Sequence, residues 1–487
     1  MLVSTGSTTA WLGFYDNAKL TSRYFFTVVL LVLQEMFEFY DFFLVGYLVA
    51  VLAPDWHLTY GQSSLMLLSG GVGAVVGGLF FGHWADKFGR RNLVALGGLV
   101  FAAGCGATAV MPAGAWIMFS ICRFFVGFGM AGAVTAQNVL IVEITPTRYR
   151  TYLSSLMVAP VALGTFFAAI IAAYLMPLIG WRGVATTGAL PILISAAVML
   201  WVPESARWLL TQNRFGDARR EAARQLGVPL ETVVMPASPP VAVATGSAFE
   251  LFKDQKRFWW VVAIWIGAST ATYGVQLWGP TIVSQLLKIP AQTAAGYFVL
   301  LAVMNFAGRI AFSFLPIWIG RRWSGQLMCY VSTMILLAAG IYNDVFVYGA
   351  SVFVILIVGG AFFYSGGFSN VTPYTAEAHP VRLAARALGL GQAANGVGKI
   401  IGPLVLALIA GSGDIVSPKA TADAVQPAFV FLAACTLLSA IAFTLFRVET
   451  HGRQITQIRN MEDENRDVVE MPRNAPPIGT SHQVAQL

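Results

Sequence analysis

Apolar residues run through this chain in long blocks separated by short polar turns. Twelve blocks recur, near 24–52, 62–83, 92–112, 115–140, 151–176, 182–202, 258–286, 293–318, 325–343, 346–372, 387–411 and 426–446. Each approaches the ~20 residues a helix needs to cross roughly 30 Å of hydrocarbon. The blocks are too long, and too poor in period-2 alternation, for barrel strands. Helices are the remaining spanning structure that satisfies the backbone in lipid. The pattern therefore predicts an all-α membrane protein with twelve transmembrane helices.

Composition agrees: 57% of the residues are hydrophobic and only 11% charged, against about a quarter charged in soluble proteins. Charge placement adds orientation. Of 30 Lys and Arg, three (Arg182, Lys288, Lys419) fall in loops on one side and three (Arg123, Arg309, Lys399) inside spans. The remaining 24 lie in the termini and the loops on their side, which predicts cytoplasmic termini by the positive-inside rule. The net charge of +7 is thus a topology signal and argues against nucleic acid as a partner. MLVSTGSTTAWLGFYDNAKL lacks the basic start and short apolar core of a cleaved signal peptide, so it reads as a short cytoplasmic segment. The four cysteines and five histidines form no cluster with ligand spacing, so neither metal nor cofactor is expected.

Three features occur twice. GHWADKFGRR (82–91) has a partial echo in SFLPIWIGRR (313–322), VEITPTRYR shares Glu-x-x-Pro with TAEAHPVR, and PESARWLL is faintly mirrored by VETHGRQI. Their offsets, 231, 234 and 245 residues, are nearly constant. Two pseudo-symmetric six-helix halves follow: 1–202 and 258–446, joined by a cytoplasmic central loop at 203–257 and followed by a tail, 447–487, whose polar composition predicts disorder. Parallel repeats of this kind are a transporter architecture, with the substrate site at the midplane between halves. PESARWLLTQNRFGDARREAARQLG, opening the central loop, has the Ala, Leu and Arg content of an interfacial amphipathic helix.

Six plus six helices, with Gly82, Asp86, Gly89, Arg90 and Arg91 between the second and third, resemble the major facilitator superfamily over roughly 20–450. The resemblance implies a gating role for those residues together with Glu143 and Arg150, and for Glu377 and Arg386 in the second half. The second copy departs from the pattern. Ser313 and Ile317 stand where the first has Gly82 and Asp86, and no Arg follows Glu377 by seven residues, so a gate with fewer charges is expected there.

Ionisable residues at membrane depth cost at least a few kcal/mol and mark function by default. The first helix carries Glu35, Glu38 and Asp41 at i, i+3 and i+6, an arc of about 120° on one face. Asp41 lies some 15 Å from the outer end of its helix and Arg123 some 12 Å from that of the fourth, at 1.5 Å per residue, so the two are level. In proton-coupled sugar porters, which this region resembles, a first-helix Asp pairs with the Arg opening R-x-x-x-G-x-G, here Arg123, Gly127 and Gly129. The resemblance implies that Asp41 accepts the proton and Arg123 expels it. Glu38, Phe39, Tyr40, Asp41, Phe42 and Gly46 also resemble the first-helix motif of metabolite:proton symporters, and aromatic acid:proton symporters are related. In the second half, Gln392, Asn395 and Lys399 form a polar stripe at i, i+3 and i+7, and Asn305 stands one turn from Arg309. A carboxylate substrate would supply the missing counter-charge. The alternative is an internal gate in which Arg309 and Lys399 pair with Glu35 or Glu38.

Four positions where sugar porters carry glutamines hold Val158, Thr165, Ala268 and Ser269, which argues against a hexose substrate. Tyr273, Gln276, Trp278, Gln137, Asn138 and Tyr374 remain as candidate cavity lining. GFGMAG (127–132) sits inside a span with no preceding strand, and GVGKI lacks the flanking residues of a phosphate loop. The rows Gly73, Gly77 and Gly78, Gly82 read as helix-packing seams. No nucleophile, base or metal set converges, so an enzyme is not expected. The sequence predicts a monomeric, proton-coupled symporter of a small organic acid or zwitterion in a plasma membrane, a bacterial inner membrane above all. A sugar or polyol porter, a proton-driven exporter and a transporter-like nutrient sensor are the alternatives.

Overall fold

The computed structural model describes residues 20–146, 159–233, 253–379 and 381–446. Its helices are α1 (Ser22–Asp55), α2 (Tyr60–Phe88), α3 (Arg90–Ala109), α4 (Trp116–Ile144), α5 (Ala159–Ile170), α6 (Met176–Thr187) and α7 (Pro191–Trp201) in the first half. The central loop contributes α8 (Ala206–Thr211) and α9 (Phe215–Leu226). The second half has α10 (Gln255–Leu287), α11 (Ala291–Ile319), α12 (Arg321–Ile341), α13 (Val352–Tyr364), α14 (Phe368–Glu377), α15 (Val381–Ala410) and α16 (Pro418–Leu445). A two-residue hairpin, Phe346–Val347 with Ala350–Ser351, separates the ninth and tenth spans. Eleven helical stretches among the described residues are long and apolar enough to cross a membrane. One of them, Pro160–Trp201, has 42 residues, about twice what one crossing needs. The non-helical backbone of Gly180 (φ 68°, ψ 173°) divides it into the fifth and sixth spans.

Local chemistry sets the helix starts. Thr59 and Gln62 form a reciprocal cap at α2: the Thr59 hydroxyl accepts from the Gln62 amide at 3.2 Å and the Thr59 N–H donates to Gln62 Oε1 at 3.0 Å. Thr21, Asp254, Ser351 and Ser417 cap α1, α10, α13 and α16.

Packing within the first half rests on small residues. A side chain at Gly127 would collide with the backbone of Gly70, and one at Gly73 or Gly77 with the backbone of Phe124 and Phe128. α2 and α4 therefore approach backbone to backbone. The expected second row is corrected: Gly78 has no heavy atom within 4 Å of its added Cβ, so the seam continues through Gly70, not Gly78. The 203–233 segment brings another correction. The apolar face of α9 (Ala218, Ala222, Ala223) is buried against Trp208, Leu209 and Leu210 of α8, so protein rather than lipid covers it. Thr21 Oγ1 donates to Gln225 O at 3.0 Å and ties α9 to the start of α1.

The halves meet through α1 with α10, α2 with α15 and α5 with α11. At the end remote from the basic loops they are stitched by backbone. Tyr60 N–H donates to Asp414 O (3.0 Å), Gly61 N–H to Ser412 O (2.9 Å) and Val416 N–H to Leu58 O (3.1 Å). The Tyr60 hydroxyl meets Thr421 Oγ1 at 2.7 Å and its ring lies 5.7 Å from Trp278. The end remote from the basic loops, the outer end in the orientation expected from sequence, is closed.

Candidate functional site

Asp41 and Arg123 come together. Arg123 Nη1 donates to Asp41 Oδ2 at 2.6 Å, with side-chain exposures of 3% and 0%. Arg123 Nη2 donates to Thr108 Oγ1 at 2.8 Å, and the guanidinium lies 5.5 Å from the Phe119 ring centroid. Asp41 Oδ1 has no hydrogen-bond partner among the described residues and faces Gly188 and Cys105, where a Cβ on residue 188 would fall within 2.6 Å of that oxygen. One carboxylate oxygen is thus bound and the other sits in a small cleft that only glycine leaves open. A buried pair of this kind is held only as long as both partners are charged, because removing one charge strands the other.

The other two acids of α1 have neutral partners. Glu35 Oε2 accepts from Gln137 Nε2 at 2.9 Å, and Glu38 Oε1 from Gln34 Nε2 at 3.3 Å, with Glu38 Oε2 unpartnered among the described residues. Glu35 and Arg309 are within electrostatic reach, yet they form no ion pair in the described residues. Arg309 Nε donates instead to Asn305 Oδ1 at 3.1 Å.

Lys399 is buried at 7% exposure. Its ammonium lies 4.7 Å from the Phe42 ring centroid, on the first half, and 5.0 Å from that of Tyr273, on its own half. Phe43 stacks on Tyr273 at 5.9 Å with an 11° interplanar angle. Two aromatic rings, one backed by Phe43, thus flank a cation that has no anion among the described residues. Below it the stripe continues toward the basic end: Asn395 Oδ1 accepts from Ser269 at 2.7 Å, and exposed Gln392 accepts from Asn395 Nδ2 at 3.3 Å. Gln276 donates to Ser365 Oγ at 2.9 Å, leaving its carbonyl oxygen buried and free of hydrogen bonds among the described residues.

Two expected lining residues are corrected. Tyr374 is fully buried, stacked 5.5 Å from Phe443 and edge-on 5.1 Å from Trp260, so it packs into the aromatic base of the second half. Trp278 donates to Pro403 O at 3.2 Å and meets Tyr60 in the outer closure. Thr165, at a sugar-porter glutamine position, donates to its own helix at Val161 O, 2.8 Å; Val158 lies outside the described residues.

At the basic end, Arg90 Nη2 pairs with Glu143 at 3.3 Å, and Arg321 Nε with Glu377 at 2.6 Å. Gly89 (φ 92°) and Gly320 (φ 85°) open α3 and α12 in the same left-handed turn. The second half therefore carries an Arg–Glu pair that matches Arg90–Glu143, while the positions of Asp86 and Arg150, on which the sparser gate was expected, lie outside the described side chains. Arg321 was missed, although the 231-residue offset maps Arg90 onto it. Glu204 Oε1 caps α3, accepting from the N–H groups of Arg90 (3.1 Å), Arg91 (3.2 Å) and Ser205 (2.9 Å). Arg386 is half-buried on α15. The side chains of Gly82 and Asp86, and Arg150 altogether, lie outside the described residues. Thr108 was also missed, and Phe42, known only as a motif residue, was not expected beside Lys399: a helical Thr and an apolar ring carry no charge signal in sequence.

The profile of the Major Facilitator Superfamily matches residues 31–359. The chain is 25% identical over 435 residues to the niacin transporter NiaP of Acinetobacter baylyi, spanning 87% of this chain and 93% of that protein. It is 25% identical over 384 residues to the cis,cis-muconate transport protein of the same organism, 77% and 85% of the two chains. Over 235 residues it is 28% identical to the 4-hydroxybenzoate transporter PcaK of Pseudomonas putida, 48% and 50% of the two. Among solved structures, the partially occluded inward-open xylose transporter XylE of E. coli superimposes with a TM-score of 0.68 at 17% identity, covering 89% of this chain and 100% of that one.

Proposed function

Because this chain belongs to the major facilitator superfamily, and is therefore a multi-pass membrane transporter and not an enzyme, we propose that it takes up a small organic carboxylate by proton symport. The observation that carries the substrate class is Lys399, a buried ammonium with aromatic faces around it and no described anion. A buried unpaired charge is costly, and a bound carboxylate removes that cost. Phe42, Phe43 and Tyr273 offer flat apolar area to the rest of the ligand, which favours a planar or aromatic acid over a polyol. Relatives named for niacin, muconate and 4-hydroxybenzoate are consistent with this reading.

Asp41 carries the proton. Neutralising it cancels the attraction to Arg123 and lets α1 part from α4, and ionisation restores the pair. Glu38 and Glu35 extend the polar path on the same helix. Substrate sits between Lys399, Arg309, Asn305, Asn395 and Gln276, and its charge compensates Lys399 when the halves, 1–202 and 258–446, rock over it. The Arg90–Glu143 and Arg321–Glu377 pairs lie at the cytoplasmic end, where the basic loops place both termini. The closed outer end and the exposed Gln392 then correspond to an inward-facing state. The protein works as a monomer in a bacterial inner membrane.

The test is a thermal-shift screen of purified protein against nicotinate, 4-hydroxybenzoate, muconate, betaines and sugars, followed by uptake into proteoliposomes under an imposed pH gradient. Acid-selective stabilisation and gradient-driven accumulation support the proposal. Accumulation with wild-type pH dependence in Asp41→Asn would remove the proton assignment, and stabilisation by sugars alone would remove the substrate class.

A further inference from the structure

Arg123 has two anchors, and only one is the carboxylate. Thr108 is fully buried on α3, and its hydroxyl proton is committed to Gly104 O at 2.8 Å. Its oxygen is therefore presented as an acceptor, and Arg123 Nη2 occupies it at 2.8 Å. The result is a directed chain: Gly104 carbonyl, Thr108 hydroxyl, guanidinium, Asp41 carboxylate. The orientation of each donor follows from the one before it, because Thr has a single hydroxyl proton and Arg none to accept with.

We infer that Thr108 is a positioning residue for the proton site: it diverts one guanidinium nitrogen from Asp41 and limits the pair to a single Nη1–Oδ2 contact. Planar guanidinium and carboxylate groups readily form two parallel hydrogen bonds, and the second oxygen of Asp41, beside the weak Cys105 thiol donor, accepts no N–H among the described residues and can receive one. With Thr108 in place, the pair is held by one Nη1–Oδ2 contact. Without it, Arg123 can turn both nitrogens to Asp41 and favour the ionised form. The other titratable groups facing this pair are Cys105 on α3, Cys122 on α4 and Tyr40 on α1, whose hydroxyl meets Thr187 of α6 at 2.5 Å; Glu38, one turn along α1, faces Gln34 and Glu35 instead. Of these, Cys122 hydrogen-bonds Thr108 itself and loses that contact in the variants lacking the hydroxyl, which Thr108→Ser restores.

This inference rests on the reading of Asp41 as the proton carrier, and the experiment separates the two. The full-length protein is titrated by infrared difference spectroscopy, and the protonated-carboxyl band lost in Asp41→Asn is assigned to Asp41. Thr108→Val, isosteric but without the acceptor, should move the midpoint of that band to lower pH by about one unit, and Thr108→Ser should return it to the wild-type position. Should Val disturb the α3–α4 seam, Thr108→Ala makes the same test with a smaller side chain. An unchanged or upward-shifted midpoint in the variants lacking the hydroxyl overturns the role of Thr108 while leaving Asp41 as the carrier. Absence of any band lost in Asp41→Asn overturns both.

Discussion

Replacing Lys399 by Met tests the carboxylate reading through two opposite signs. In the empty protein the ammonium is stabilised by the rings of Phe42 and Tyr273 at 4.7 and 5.0 Å, on the order of 1–2 kcal/mol each at a desolvated site. Burying an unpaired charge costs several kcal/mol. Removing the charge should therefore leave thermal stability unchanged or raise it. Ligand binding should move the other way. A charge-assisted contact with a carboxylate contributes about 1.5–3 kcal/mol, so Kd for nicotinate or 4-hydroxybenzoate should rise roughly 10- to 150-fold. The neutral amides of the same acids do not use that contact and should bind within about 3-fold of wild type. Isothermal titration of the purified protein with each acid and its amide reads the difference directly. Equal losses for acid and amide would mean that Lys399 shapes the cavity and does not pair with a carboxylate, and a wild-type Kd for the acid would refute the reasoning altogether.

Arg123→Gln strands the buried Asp41 carboxylate and should cost about 3–5 kcal/mol of stability at neutral pH, whereas Asp41→Asn with Arg123→Gln should recover most of it; thermal unfolding of the four combinations checks this. Gly46→Val places a Cβ 2.7 Å from Leu277 O, between α1 and α10, and should disfavour the closed outer end. Labelling of a cysteine at the buried Thr421 position by an impermeant reagent should rise, and unchanged labelling would count against this interface as the outer gate. Glu204→Ala leaves three N–H groups without their acceptor and should cost about 1–2 kcal/mol, while Glu204→Gln retains an acceptor. Burial outweighs those donors and pushes the Glu204 carboxyl above its ordinary range. The folded protein then binds this proton more readily than the unfolded chain, so stability from Glu204 falls as pH rises through the window just above the ordinary carboxylate value. A flatter stability–pH curve in Glu204→Gln is the expected result.

What the sequence determined by itself follows from properties that accumulate along the chain. Block length accounts for the long apolar helices, the basic loops predict their orientation, and the near-constant offset of GRR and Glu-x-x-Pro predicts the two halves. The level of Asp41 and Arg123 could be read by counting residues, because helical rise is constant at 1.5 Å. Partner choice could not be counted. Lys399 meets Phe42 and Tyr273 rather than Glu35 or Glu38, Arg309 turns to Asn305, and Glu35 to Gln137. Tyr374 and Trp278 leave the candidate cavity for a packed aromatic base and the outer closure. Each of these outcomes depends on the rotation of one helix about its own axis relative to another. A rotation of about 100° separates neighbouring residues, so a small difference in azimuth, set by how close Gly70, Gly73 and Gly127 let backbones approach, changes which side chain faces the interior. Tertiary packing alone decides that angle.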